Sequence, residues 1–422
     1  MYKFFRIAAR LFVRDRTSGP FCRACTLPLV VLATIMIAPL NASAELWRFD
    51  PSASVRLTYD DNPELNVANQ NSVTSTVVTG AVALSSLTET REVRGFLKAQ
   101  AFTYSGHDDD LDDHSNLLAG IEYDLKQILS KWSVDASLRR DTILRDIDLI
   151  ENPGDVTIEP DDDIDDSSVQ QTVKRNRIVF KPGWSKSLTE LTGIRLRYRF
   201  NQVDYDDAAG TGLVEYEDNT FTGEYFRSIS ERDEFAGSLE YVNYKAADAN
   251  REYDGISVEA VYRRKFDETT DGELRVGVFE TDYKTTTSSG TEDGFLIGLE
   301  GTKRTGLTRY GVRLRRKLYP SGSGDLVRTD EAVLNIFREI SERTSISLRS
   351  RLYENKSLRA DNPDANRRYL SFEPRFRWRM APEWFFDFSY RYVRQNRDTD
   401  PESADSNAVT FSVTFFDKRP LN

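Results

Sequence analysis

The chain has 422 residues, with 57 lysines and arginines against 68 aspartates and glutamates, and a formal net charge of −11. This acidic balance argues against a nucleic-acid partner. Both cysteines, Cys22 and Cys25, lie within the first 44 residues. A chain that begins at Glu45 therefore has no thiol for a disulfide, a metal or redox chemistry.

The first 44 residues have the pattern of a cleaved signal peptide. A basic leader precedes the apolar stretch from Leu27 to Leu40, and Ala42, Ser43 and Ala44 supply a small-residue cleavage site before Glu45. The apolar stretch is too short to span a bilayer stably. We expect residues 1–44 to be removed after export through the inner membrane, and residues 45–422 to form a single domain.

From Ser52 to Phe416 one kind of segment repeats, in which apolar and polar residues alternate. Alternation with a period of two predicts β-strands, because successive side chains leave a strand on opposite faces. Eighteen strands are predicted, with sixteen as the alternative count. They lie near 52–60, 73–86, 92–104, 116–126, 131–142, 172–186, 191–204, 217–229, 234–246, 252–265, 272–285, 293–303, 307–319, 326–339, 344–355, 368–380, 384–395 and 406–416.

The connections between these strands alternate between short turns and longer, polar loops. Tight connections such as "QILSK" and "APE" take turns with long ones such as "SGHDDDLDDH" and the stretch around 144–171. Short periplasmic turns, long extracellular loops and an even strand number are the properties of transmembrane β-barrels. We therefore predict an all-β, antiparallel up-and-down barrel in which loop 144–171 either leaves the lumen open or plugs it. Pro182 and Pro374 lie inside strands and predict bulges or local bends near the periplasmic end.

The two faces of the strands predict lipid outside and water inside. The seventh strand, "GIRLRYRF", places Arg195, Arg197 and Arg199 opposite Ile194, Leu196, Tyr198 and Phe200. An arginine on the lipid face at mid-depth costs about 2–4 kcal/mol. On this register the inward basic side chains are Arg175, Arg177, Lys181, Arg195, Arg197, Arg199, Arg313, Arg315, Lys317, Arg349, Arg351, Arg375, Arg377, Arg379 and Arg391.

Fewer acidic residues are predicted to point inward, namely Glu122, Asp124, Asp135, Glu224, Glu240, Glu259, Glu300 and Asp387. The predicted lumen is therefore net cationic, and arginine ladders favour anions. Two interpretations stay open. The arginines serve passage of an anionic solute or polymer, or they pair with inward acids and stiffen the barrel.

Aromatic residues predict two girdles at the membrane interfaces. All five tryptophans, at 47, 132, 184, 378 and 384, fall next to short turns or the start of the first strand. Tyrosines fall at the long-loop ends of strands, at 59, 104, 205, 253, 283, 319 and 353.

No enzyme motif is present, and the two histidines, His107 and His114, flank an acidic loop without a nucleophile beside them. We expect neither catalysis nor a cofactor. Dense aspartates in the loops offer oxygen ligands for calcium or magnesium, although their spacing is not that of an EF-hand. These weak candidates are Asp108, Asp109, Asp110, Asp161, Asp162 and Asp163.

The stretches "RLTYDDNPEL" at the first strand and "KPGWSKSLTELTGIRLRYRFNQVDYDD" in the middle resemble outer-membrane proteins of the "β-barrel porin 2" type. That family is often associated with exopolysaccharide or capsule assembly. The resemblance implies a Gram-negative outer-membrane passage for a secreted polysaccharide, and the predicted arginine-rich lumen adds that the polysaccharide is anionic. Implied partners are outer-membrane lipid and lipopolysaccharide, the barrel-assembly machinery and periplasmic export components. The alternative is a structural or receptor barrel that acts through acidic extracellular loops, with a closed lumen.

Overall fold

The computed structural model describes residues 47–68, 70–106, 113–142, 173–206, 211–246, 250–286, 288–358, 366–398, 402–417 and 419–421. The predicted signal peptide, 1–44, lies outside this part of the chain. Nineteen strands form within it: β1 Trp47–Asp60, β2 Val73–Leu87, β3 Arg91–Ser105, β4 His114–Lys126, β5 Ser130–Thr142, β6 Lys174–Ser187, β7 Thr192–Asp206, β8 Tyr216–Ser228, β9 Asp233–Ala246, β10 Arg251–Lys265, β11 Thr270–Lys284, β12 Ser289–Thr305, β13 Thr308–Pro320, β14 Leu326–Ser341, β15 Thr344–Ser357, β16 Arg367–Ala381, β17 Trp384–Arg397, β18 Ala404–Phe416 and β19 Arg419–Leu421.

These strands form a closed barrel. Each strand from β1 to β17 pairs antiparallel with the next, and β18 returns to β1 through pairs that run from Ser52 and Phe416 to Asp60 and Ala408. The short β19 pairs with the first residues of β1, Trp47 to Phe49. The prediction of an eighteen-stranded up-and-down barrel is confirmed, and the alternative of sixteen is wrong. Among the described residues, no helix is long and apolar enough to cross a membrane.

The alternation between short and long connections is less regular than predicted, because several strands extend further into the loops. The connections at 306–307, 342–343 and 382–383 are short turns, as predicted. At the opposite end, however, the connections 247–250 and 285–288 are as short as the turn 229–232. We call the two ends of the barrel the short-turn end and the long-loop end.

The two prolines within strands do not produce bulges. On one side of Pro182 the pairs skip from Phe180 with Phe200 to Gly183 with Arg197, and the register is unchanged. Pro374 causes a similar gap against β17, again without a shift. Bulges are therefore the wrong alternative there, because the barrel loses local pairing on one side of each proline without inserting a residue, and local bends stay a prediction. Register shifts occur instead beside short turns, between Glu339 and Ser341 and between Arg379 and Ala381.

The outer face of the barrel is apolar and exposed. Aliphatic and aromatic side chains on this face are about half exposed, including Val258 at 55%, Val278 at 62% and Phe295 at 56%. Strand pairing aligns them, since Val258 lies opposite Val278, and Val278 opposite Phe295. An apolar surface of this extent on the outside of a barrel is what a hydrocarbon environment requires.

The tryptophans lie where the sequence predicts, whereas most of the tyrosines do not. Trp132 and Trp184 pack against each other on the outer face near the short-turn end, with ring centroids 5.9 Å apart. At the long-loop end only Tyr59 of the predicted girdle faces outward. Tyr253 and Tyr353 illustrate the remainder, since they face inward and are 0% and 4% exposed. The prediction of an outer tyrosine girdle is therefore wrong for these residues, because their side chains lie inside the barrel and support the structure there.

Candidate functional site

The inner surface of the barrel carries the predicted basic residues. Strand pairing places them on the face opposite the exposed apolar side chains, as for Arg313, which lies beside the outward Val312 and Leu314 and opposite Glu300. The same face holds Arg175, Arg177, Lys181, Arg195, Arg197, Arg199, Arg315, Lys317, Arg349, Arg351, Arg375, Arg377, Arg379 and Arg391. Their use in anion passage stays a prediction.

The three alternating arginines of β7 have different environments. Arg195 is ion-paired with Glu224 and with Glu234, the latter at 2.9 Å. Arg199 lies 2.8 Å from the carboxylate of Asp218, which is fully buried. Between them Arg197 is exposed on the inner surface, and it has no hydrogen bond or ion pair with any described residue. One guanidinium of the three is therefore available to a solute.

Near the short-turn end, Arg195 belongs to a charge network that spans five strands. Arg263 on β10 donates to Glu224 at 2.8 Å, to Glu234 at 2.7 Å and to Glu273 at 2.5 Å. Arg275 also contacts Glu273. Because every acid here touches at least one guanidinium, the network ties β7, β8, β9, β10 and β11 together on their inner face.

Two buried acids hold pairs of arginines on the other side of the barrel. Glu331 accepts a hydrogen bond from Arg351 at 2.9 Å and lies 3.4 Å from Arg315. Asp387, which is 2% exposed, accepts hydrogen bonds from Arg375 at 3.1 Å and from Arg377 at 2.6 Å. Many of the predicted pore arginines are therefore positioned by carboxylates. This agrees with the second interpretation of the sequence, in which the arginines pair with inward acids and stiffen the barrel.

The inner surface contains charged residues of both signs that the sequence did not assign. Additional basic residues include Arg56, Arg94, Lys98, Arg251, Arg263 and Arg275. Additional acids include Asp60, Asp141, Asp218, Glu234, Glu273 and Glu331. Acids are therefore more frequent on the inner surface than predicted, while basic side chains such as Arg197 still outnumber them.

At the long-loop end, the connection 321–325 folds inward and contacts strands far from its own. The hydroxyl of Tyr253 on β10 donates to the carboxylate of Asp325 at 2.6 Å, and the hydroxyl of Tyr244 donates to the carbonyl of Ser321 at 2.9 Å. Arg251 donates to the carbonyl of Ser323 at 2.9 Å. Ser321 and Asp325 are both fully buried. This connection, which we call the inner latch, covers part of the inner face of β9 and β10.

The start of the β1–β2 connection folds inward on the opposite side. Asn62 is 1% exposed and donates from its amide to the carbonyls of Asn66 and Asp405 at 2.9 and 2.8 Å. Leu65, with a φ of 52°, packs into a buried cluster with Tyr353, Tyr369, Val393 and Ala404. Asp61 to Leu65, the end of "YDDNPEL", therefore form an inward-folded loop, and Tyr353 and Tyr369 pack beneath it.

We expect Asp325→Ala to widen the opening at the long-loop end. The substitution removes the acceptor of the Tyr253 hydroxyl and the 3.3 Å ion pair with Arg251, so the inner latch loses its side-chain anchor. Single-channel recording should then show a larger conductance than the native protein. Thr285→Ala, in an exposed connection at the same end, is the control and should leave conductance unchanged. Equal conductance in all three proteins would contradict the assignment of 321–325 as a constriction.

Several predicted features lie outside the described residues, including loop 144–171, His107 and the aspartates at 108–110 and 161–163. Within the described part of the chain, no group of histidines, cysteines and acids has the geometry of a metal site. His114 is not a loop residue, since it begins β4, stacks 4.5 Å from Phe102 and shares a 3.0 Å hydrogen bond with Thr142. The absence of an enzymatic function stays a prediction.

No protein-family model matches the chain, and no curated protein matches it. Solved structures do match. Acinetobacter baumannii OccAB4 has a TM-score of 0.47 and 11% identity, over 90% of this chain and 100% of that chain. Pseudomonas aeruginosa OccK9 has a TM-score of 0.46 and 11% identity, over 89% and 98%. The outer membrane protein opdK from Pseudomonas aeruginosa has a TM-score of 0.45 and 10% identity, over 88% and 99%. Likeness at this level carries no argument about function, and the fold rests on the strand pairing of this chain itself.

Proposed function

We propose that this protein is an outer-membrane channel that passes an anionic solute, and that the solute is an anionic polysaccharide on its way out of the cell. The observation that carries the proposal is a closed barrel with an exposed apolar exterior and an interior rich in arginine. A water-soluble barrel has the opposite arrangement, with polar side chains outside and apolar side chains inside. The signal peptide and the barrel-assembly machinery would bring residues 45–422 to the outer membrane.

The size of the barrel supports passage. Barrels of about 16–18 strands leave an aqueous channel when no segment fills them. Arg197 is evidence that the solute is anionic, because its side chain is exposed on the inner surface and has no partner among the described residues. Its neighbours Arg195 and Arg199 are held by acids, so that the ladder is rigid while one cation in it is free.

A structural or receptor barrel with a closed lumen is the second candidate. Two observations favour it, namely the extensive pairing of inward arginines with acids and the two inward-folded connections at 61–68 and 321–325. Such a barrel would act through its loops and conduct little. The two candidates differ in solute flux.

Flux through proteoliposomes tests the proposal directly. Purified protein is reconstituted, and vesicle swelling is compared for an oligogalacturonate and a neutral malto-oligosaccharide of the same length. We expect the anionic oligomer to enter faster. Equal entry of both oligomers would refute the anionic preference, and no entry of either would favour the closed barrel.

We expect Arg197→Glu to shift the reversal potential of the channel toward cations. The substitution replaces the exposed guanidinium with a carboxylate midway between the paired Arg195 and Arg199. Planar-bilayer recording in a potassium chloride gradient measures the shift. Arg227→Glu reverses the same charge on the outer face near the short-turn end and should leave the reversal potential unchanged. If both variants shift it equally, the charge at 197 does not line the conduction path.

A further inference from the structure

A group of four basic side chains lies on the outer face of β13 to β16 at the long-loop end. We call Arg316, Arg328, Lys356 and Arg368 the outer basic patch. Strand pairing arranges it in two neighbouring rows. In one row Arg316 lies opposite Asp330, Asp330 opposite Glu354 and Glu354 opposite Arg368. In the row nearer the loops Arg328 lies opposite Lys356.

Three of these cations are held in place by two acids. Arg316 donates to Asp330 at 2.7 Å and lies 4.3 Å above the ring of Phe295. Glu354 accepts a hydrogen bond from Arg368 at 2.8 Å and lies 3.3 Å from Lys356. Four basic and two acidic side chains leave a net positive charge on a pre-arranged surface.

Arg328 is the exception within the outer basic patch. It has no ion pair or hydrogen bond with any residue in the described ranges, and its Nε is buried without an acceptor. A buried guanidinium nitrogen without an acceptor is costly unless something else supplies one. The Arg328 side chain as a whole is partly exposed, and phosphate oxygens suit a guanidinium without an acceptor, because arginine binds them in a bidentate way.

The surface next to the patch identifies the kind of molecule that carries the phosphate. The adjoining outward row toward the barrel centre is wholly apolar and consists of Leu314, Ala332, Leu352 and Leu370. Leu314 and Leu352 are 46% and 53% exposed. A lipid whose acyl chains cover this row would place its headgroup on the outer basic patch.

We propose that the outer basic patch binds the phosphate groups of a phosphorylated glycolipid of the outer leaflet. This inference rests on the proposed insertion in the outer membrane, but not on conduction. It is specific to one side of the barrel, since the same height on β9 to β11 carries an excess of outward acids, with Glu252, Asp254, Glu280 and Asp282 against Lys245 and Lys284. Phosphates are repelled there and attracted at β13 to β16.

Native mass spectrometry of the detergent-solubilised protein tests the proposal. The probes are diphosphorylated lipid A and the same lipid A without its phosphates. We expect the native protein to retain the phosphorylated form, and the double variant Arg328→Gln with Lys356→Gln to bind it at least about tenfold more weakly. The matched control is Lys245→Gln, an outward lysine at the same end that pairs with Glu252 at 2.9 Å. It should bind lipid A as the native protein does.

Three results would overturn the inference. The first is equal retention of the two lipid A forms by the native protein. The second is a Lys245→Gln control that loses lipid A binding as much as the double variant does. The third is a double variant that differs from the native protein only in the number of protein copies per complex. Heat-dependent mobility on gels establishes that each variant forms a barrel. Insertion of the native protein into vesicles is measured separately. If insertion fails, the proposed function is wrong, whereas insertion with unchanged lipid A binding by the double variant refutes only the lipid site.

Discussion

Val258→Arg should lower the free energy of unfolding of the membrane-inserted barrel by about 2–4 kcal/mol, which is the cost of arginine on the lipid face at mid-depth. Val258 lies midway along β10, faces outward and is 55% exposed. The measurement is denaturant unfolding of the protein in lipid vesicles.

The control for this substitution places the same charge near the membrane surface. Glu252 faces outward at the start of β10, and arginine there should cost at most about 1 kcal/mol, because the penalty falls toward the interface. If Val258→Arg and Glu252→Arg cost the same, the apolar exterior does not meet hydrocarbon.

Glu224→Gln should lower the free energy of unfolding by about 3 kcal/mol, because it removes a buried carboxylate and leaves two half-buried guanidinium charges incompletely paired. The Glu224 side chain is 1% exposed and contacts both Arg195 and Arg263. Those arginines keep Glu234, at 2.9 and 2.7 Å, which limits the loss. Denaturant unfolding in vesicles measures the effect.

The matched control for Glu224→Gln is Glu252→Gln. Glu252 and its partner Lys245 are both exposed, so the loss of this pair should cost less than about 1 kcal/mol. A second measurement separates stability from function, since Glu224→Gln also adds positive charge to the inner surface and should shift the reversal potential toward anions. Equal stability of the two variants would show that the five-strand network does not stabilise the barrel.

Strand number and facing could be predicted where the two faces of a strand differ in polarity. In β7 every inward residue from Arg195 to Asn201 is polar and every outward residue from Ile194 to Phe200 is apolar. In β14 both faces mix apolar and charged residues, with Val333 and Glu331 inward and Leu334 and Asp330 outward. Alternation alone therefore could not identify Glu331 as inward, although it is a central acid of the site.

The pairing of the arginines could not be predicted, because it depends on register between strands. Glu224 lies directly opposite Arg195, but Glu234 reaches the same guanidinium from two strands away. The sequence contains both acids but does not give their distances from Arg195. Sequence alone therefore leaves both interpretations of the arginines open, because the contacts of each arginine depend on that register.

The inward tyrosines show a second limit of sequence reasoning. Tyrosine at the end of a barrel strand is typical of an interface girdle, and the sequence could predict only its height. Tyr253 is fully buried because the connection 321–325 folds onto it, and Tyr353 is buried because Leu65 does the same. Such contacts join residues far apart in the chain, and no local pattern signals them.

The reversal potential of the native channel across a planar bilayer, in a potassium chloride gradient, tests the central claim most directly. An arginine-rich lumen that passes anions predicts open-channel currents whose reversal potential has the sign of chloride selectivity. A cation-selective reversal potential, or a reconstituted barrel that never conducts, would contradict it.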